Sequence, residues 1–304
     1  MKNNMQELQI KLPKAAQEYR EKRVAQLLKN PMVLAFLEEH GLEDDFIKQH
    51  LSQFDRWIRF KEGTTSVEEY RPEGYELELT YRDGHLDFSY VQSLAAAQRE
   101  QKLAHLKYFR VNHLPAPMRQ LSFSTLNSDK ENDYYVSAAY QIENIQTSNR
   151  GLYLHGSIGS GKTYLMACLC NDVARSKRSV SFVRMSELLS ELKALFNDSE
   201  STAQIMDGLM TSYLLVIDDI GAENVSAWGR DEILFNVLNY RMENQLKTCF
   251  TSNLSIEELK EVYLKQQYGV VDENKVDRLI ERVRTLAKPL TLYGNSRRQF
   301  LVKD

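Results

Sequence analysis

The stretch Gly156-Ser157-Ile158-Gly159-Ser160-Gly161-Lys162-Thr163 has the residue types and spacing of a phosphate-binding loop, G-x-x-x-x-G-K-[ST]. Its backbone N–H groups can turn inwards on phosphate oxygens, and the start of the following helix adds positive potential. Lys162 would reach the β- and γ-phosphates of a nucleotide. The Thr163 hydroxyl would ligate Mg²⁺. The flanks agree, because Gly151 to His155 reads as a strand and Tyr164 to Ala174 as an apolar helix. A glycine-rich turn with a chance lysine is the bland alternative, and it does not account for those flanks.

A second group of chemical residues follows. The apolar run Tyr213 to Ile217 reads as a buried strand ending in Asp218-Asp219, with Asp218 lying 55 positions beyond Thr163. Open α/β sheets bind ligands at the carboxyl ends of their strands. Asp218 would hold Mg²⁺ through water, and Asp219 would orient and polarise an attacking water. Thr251-Ser252-Asn253 ends another strand. Asn253 would bond the γ-phosphate or that water; by itself it would equally serve as the turn and cap before a helix over 256–263. Asp277 to Arg284 reads as a helix with Arg278 and Arg282 on one face. That face is either a solvated, i,i+4-paired surface or an arginine finger for a neighbour's γ-phosphate. Arg282 is the first candidate for that role and Arg278 the second.

These residues need a sheet to position them. From Gly151 onwards strands and helices alternate, with further strands at 180–183, 248–252 and 290–293 and a helix over 185–196 with Ser186 as its N-cap. That pattern specifies an α/β parallel sheet with helices on both faces. A helix over 134–147 precedes the first strand. Leu114-Pro115-Ala116-Pro117 breaks helical structure and is a candidate to lie beside the bound base.

The earlier part of the chain is a small, mostly helical α+β unit. It reads as a helix over 6–29, a second from Asn30-Pro31 to His40 closed by Gly41, and a third marked by Ile47, Leu51, Phe54 and Ile58. Asp83-Gly84 then suits a two-residue hairpin turn. Counting outwards pairs Tyr81 with Leu86, Leu79 with Phe88 and Leu77 with Tyr90, all on one face. His85 reads as an exposed turn residue, not a metal ligand. A polar helix over 93–108 follows. The domain division is 1–105, a linker and lead-in over 106–130, and 131–304.

Composition sets limits. The 304 residues are 42% hydrophobic and 27% charged, enough for two domains with real cores. No run approaches the roughly 18 apolar residues of a membrane helix. The polar start Met1-Lys2-Asn3-Asn4 is no signal peptide, so a cytoplasmic protein is expected. Cys168, Cys170 and Cys249 lie in apolar segments without a C-x-x-C pair, so neither disulfides nor zinc are expected. Net charge is -3, no general polyanion signal, although residues 275–304 are rich in Lys and Arg.

Together, the phosphate loop, the strand ending in Asp-Asp, the Thr-Ser-Asn strand end and the D-R-L-x-x-R helix resemble an AAA+ ATPase. More narrowly they resemble the helicase-loader branch, including the primosomal loaders of low-GC Gram-positive bacteria. The block from Arg230 through Tyr240-Arg241 to Asn253 is also similar to that branch. The resemblance is strongest over 110–304. It implies a slow ATPase that places a hexameric DnaB-type replicative helicase on single-stranded DNA within a primosome. It implies self-assembly through the ATPase domain, a helicase-docking N-terminal domain, and no membrane partner. The strand and helix over 182–195 correspond to those that loaders use on single strands, so Arg184 and Lys193 are candidate DNA contacts, or else ordinary surface charges. Two departures stand out. Asp219 replaces the usual glutamate, which implies slow hydrolysis, and no cysteine precedes Cys168, so the zinc site common in these N-terminal domains is doubtful. Eleven residues follow Tyr293, too few for a separate helical lid. The alternative within the superfamily is an IstB-like transposition helper ATPase; a small-molecule kinase is a distant third.

Overall fold

The computed structural model describes residues 13–64, 73–126, 132–148, 150–224, 226–265 and 272–294. The start of the first expected helix and the basic residues Arg297, Arg298 and Lys303 lie outside them. The chain divides into two compact units, Met1–Gln101 and Lys102–Asp304.

The first unit contains α1 (Lys14–Leu27), α2 (Pro31–His40), α3 (Asp45–Gln49) and α4 (Leu51–Lys61). Asn30 caps α2 by accepting from the Met32 N–H, and Gly41 ends it in the left-handed region at φ 61°. The expected third helix is two helices, broken at His50. In α1 the buried positions are Val24 and Leu27, whereas Tyr19 is exposed. Strands β1 (Tyr75–Arg82) and β2 (His85–Gln92) pair in the expected register: Tyr81 with Leu86, Leu79 with Phe88 and Leu77 with Tyr90. Leu77 and Leu79 are buried, while Tyr90 stays exposed. Polar bonds join α4 to β1. Trp57 Nε1 donates to Glu78, and Lys61 Nζ pairs with both Glu76 and Glu78. Helix α5 (Leu94–Leu103) follows and ends in a 3₁₀ turn.

The second unit is a six-stranded parallel sheet in the order β3 (Phe109–Asn112), β5 (Val180–Arg184), β6 (Leu214–Asp218), β7 (Lys247–Ser252), β4 (Gly151–Gly156), β8 (Ala287–Leu292). Strand residues alternate between two cores, as a two-sided sheet requires. Leu152, Leu154, Phe182 and Val216 face α6 (Asp133–Glu143) and α7 (Lys162–Arg175). Tyr153, Val183, Ile217 and Phe250 face the other core. That core is closed by α8 (Met185–Ala194), α9 (Ser199–Thr211), α10 (Phe235–Glu243), α11 (Ile256–Leu264) and α12 (Glu273–Leu286). The last strand begins at Ala287, earlier than expected; its Pro289 is tolerated because β8 is an edge strand. Arg184, not Ser186, holds the N-cap position of α8.

Arg241 is fully buried and has no carboxylate partner among its bonds. It donates to the carbonyls of Leu209, Met210, Ser212 and Lys247 and to Thr248 Oγ1. Three of those carbonyls belong to the end of α9 and the residue that follows it, where the helix dipole favours a cation. No described helix is long and apolar enough to cross a membrane.

Candidate nucleotide-binding site

Strands β4, β7 and β6 are neighbours, so their carboxyl ends gather the phosphate loop, Asn253 and the Asp218-Asp219 pair. Two glycines fix the loop. Gly161 has φ 103°, open only to glycine at low cost. A Cβ on Gly156 would sit 2.3 Å from the Leu292 carbonyl oxygen of β8. Lys162 starts α7 with its ammonium folded back under the loop. It donates to the carbonyls of Gly156 and Ser157, both at 2.9 Å, and to Asn253 Oδ1 at 2.8 Å. Asn253 Nδ2 in turn donates to Asp219 Oδ1 at 3.2 Å. Asn253 therefore links the loop cation to the second carboxylate. The cap role is filled instead by Ser255, which forms a capping box with Glu258 ahead of α11.

Asp218 is 2% exposed and well supplied with donors. Its Oδ1 accepts from Thr251 Oγ1 at 2.6 Å and from Thr163 Oγ1 at 3.0 Å. Burial raises its carboxyl pKa above the ordinary value; the two hydroxyls and nearby Arg184 oppose that shift. Asp219 has φ 59°, rare outside glycine, and its N–H donates to Thr251 Oγ1 at 2.8 Å. Held there, its exposed carboxylate faces the same space as Asn253. Thr251 thus positions both acids. The sequence offered one signal for it: a hydroxyl residue in the strand beside the acidic strand end. The pairing of Ile217 with Phe250 sets Thr251 level with Asp218.

The donor set fits the expected ligands. Thr163 Oγ1 and Asp218 present hard oxygens, the ligand type Mg²⁺ takes. The buried Ser160 Oγ has no hydrogen-bond partner among the described residues, as expected of a loop hydroxyl whose partner is a bound phosphate.

Arg184, a candidate DNA contact, is partly exposed and ion-paired within the chain. It ends β5 directly beside the end of β6, and its Nε lies 3.5 Å from Asp218 Oδ2 while Nη1 bonds Glu187 at 3.0 Å. Lys193 remains exposed on α8, with its ammonium 5.9 Å from the Trp228 ring centroid. The segment Leu114 to Pro117 follows edge strand β3, and the Met118 carbonyl just beyond it accepts from Asn171 of α7, the helix that begins at the phosphate loop.

The arginine helix α12 lies against α10, and both guanidinium groups flank the Phe235 ring, at 5.3 Å for Arg278 and 5.4 Å for Arg282. Arg282 is held further by Asn239 Oδ1 and Glu281. Its side chain is 15% exposed, whereas Arg278 is open to solvent. Arg278 is therefore the freer of the two.

Comparison with known proteins places this chain in a family. The family described as IstB-like ATP binding protein matches residues 59–299, and that described as the primosomal protein DnaI N-terminus matches residues 1–90. The replicative helicase loader DnaI of Bacillus subtilis is 31% identical over 91% of this chain and 94% of its own. The replicative helicase loader DnaC of Escherichia coli is 27% identical over 40% of this chain and 50% of its own. A crystal structure of DnaI superposes with a TM-score of 0.51 at 29% identity, covering 64% of this chain and 98% of that one. The sheet is that of an AAA+ domain, and the chain belongs to the DnaI family of replicative helicase loaders, within the IstB-like ATP-binding proteins.

Proposed function

We propose that this chain is an ATP-switched loader that delivers a hexameric DnaB-type replicative helicase onto single-stranded DNA during primosome assembly. The observation that carries the switch is the continuous bond path Lys162–Asn253–Asp219 beside Thr163–Asp218–Thr251. It joins the group that would feel the γ-phosphate to the one that would orient water. Residues 156–163 bind the phosphates. Thr163 and Asp218 would hold Mg²⁺, which when bound would neutralise charge on the phosphate oxygens. Asp219 and Asn253 orient and polarise the water that attacks the γ-phosphate, with ADP as the leaving group. Arg278 reaches the γ-phosphate of a neighbouring subunit, with Arg282 and Phe235 setting its position.

The division of labour is 1–105 for helicase docking, 106–130 as linker and 131–304 as ATPase. Lys193 on α8 is the candidate contact to a DNA backbone, salt-sensitive as such contacts are. The ATPase core suits a transposition helper equally; the match of residues 1–90 to the DnaI N-terminus favours the loader. Co-sedimentation of the full chain with its cognate helicase, with ATP and with ADP, tests the reading. Association that differs between the two nucleotides is expected. No association with either would leave an ATPase with the wrong partner.

A further inference from the structure

The Asp218 carboxylate is shared between hydroxyls and a cation. Oδ1 accepts from Thr251 at 2.6 Å and from Thr163 at 3.0 Å, and the Thr163 hydroxyl also lies 3.3 Å from Oδ2. Oδ2 faces the Arg184 guanidinium as well, at 3.5 Å, so the proposed metal ligand Thr163 and Arg184 meet on one oxygen. Arg184 is also the hinge residue between β5 and α8, with extended backbone at φ -92°, ψ 129°. Its other arm holds Glu187 in the first turn of α8. The Arg184 N–H donates to His113 Nδ1, so His113 carries its proton on Nε2 and donates that to Glu191, one turn further along α8. One arginine therefore spans the metal-side carboxylate and the start of a surface helix. The chain supplies no second basic side chain to Asp218 among the bonds described.

We propose that Arg184 competes with the divalent cation for Asp218 and so carries the metal-loading state of the site to helix α8. The inference rests on the reading of Thr163 and Asp218 as the Mg²⁺ ligands. A cation on those oxygens repels a guanidinium that shares the same carboxylate. Loading then shifts Arg184 from Asp218 towards Glu187, and removing Arg184 eases loading. Glu187 works in the opposite sense, because it draws the guanidinium away from Asp218. This sign separates competition from simple support. A residue that merely oriented Asp218 would weaken metal binding when lost.

The test is a Mg²⁺ titration of fluorescent ATP-analogue binding by the full chain. Arg184→Ala should lower the Mg²⁺ midpoint by about threefold, the scale of a partly exposed ion pair. Arg184→Lys should restore most of the wild-type midpoint, and Glu187→Gln should raise it. Binding of the analogue in EDTA should change little in all three. A midpoint that rises in Arg184→Ala, or stays fixed in both Arg184→Ala and Glu187→Gln, overturns the competition. A wild-type chain whose nucleotide binding ignores Mg²⁺ would instead refute the metal reading beneath it. Thermal melts of each variant show that the titrated protein is folded.

Discussion

The phosphate-loop end of the sheet and the arginine face of α12 use the same kinds of residue in opposite ways. At the loop, every charged group is tied to another part of the site: Lys162 to Asn253, Asn253 to Asp219, Thr163 to Asp218. On α12, the bonds and ring contacts of Arg278 and Arg282 stay local, to Phe235, Asn239 and Glu281. The first region is built to bind a ligand within one chain. The second presents two cations for which, among the described residues, Glu281 beside Arg282 is the one carboxylate bonded, which is what a surface offered to another subunit looks like. Buried Arg241, with its several carbonyl acceptors, shows how this fold holds an arginine whose task is structural.

The largest effect that sharpens this contrast is expected at Arg278. Arg278→Ala should leave ATP binding unchanged and reduce assembly-stimulated hydrolysis by about 10³, the lower range for trans arginines. Steady-state rates at rising protein concentration would show it, and a loss of binding instead would break the contrast. Lys162→Ala should act on the other side, weakening ATP affinity by about 10² through loss of charge-assisted bonds, as equilibrium titration would read. Arg282→Ala should lower stimulated hydrolysis by about tenfold or less, because it positions Arg278 without being the exposed group; a loss larger than that of Arg278→Ala would restore Arg282 as the finger.

Asp218→Asn should separate stability from function. Burial raises the Asp218 pKa in the folded chain, so ionising it opposes folding. The folded form binds the proton more readily than the unfolded one. Stability from protonation is therefore present at low pH and lost as pH rises from 3.8 through the raised folded value. Near neutral pH the Asn variant should melt higher, with the gain shrinking as pH falls towards 4, and its nucleotide affinity should no longer respond to Mg²⁺. A lower melting temperature at pH 7 would show that the Asp218 bonds outweigh its burial.

Much of this was legible in the chain. The hairpin register follows from Asp83-Gly84 and period-2 alternation, and the structure keeps each pair. The loop and the Asp-Asp strand end carry their own punctuation. What escaped did so for local reasons. β3 spans four residues and includes Arg110, so it reads as loop. α9 opens on Ser-Glu-Ser-Thr with Asp198 as a modest cap, and it is held in place by packing and by Arg241. Its Gly208 packs tightly against Arg110 and Val111 of β3, a contact between distant parts of the chain. The inward turn of Arg184 depends on β5 lying beside β6, which is a matter of strand order that no spacing in the sequence encodes.

A trans arginine means that one catalytic centre is completed by two chains. Lys162→Ala retains Arg278 but cannot hold ATP; Arg278→Ala holds ATP but lacks the finger. Each should be nearly inactive alone. Mixing them at fixed total concentration, under conditions that support assembly, should restore a substantial part of the wild-type ATPase rate. A mixture no more active than the sum of its parts, with co-assembly verified, would contradict a trans arginine.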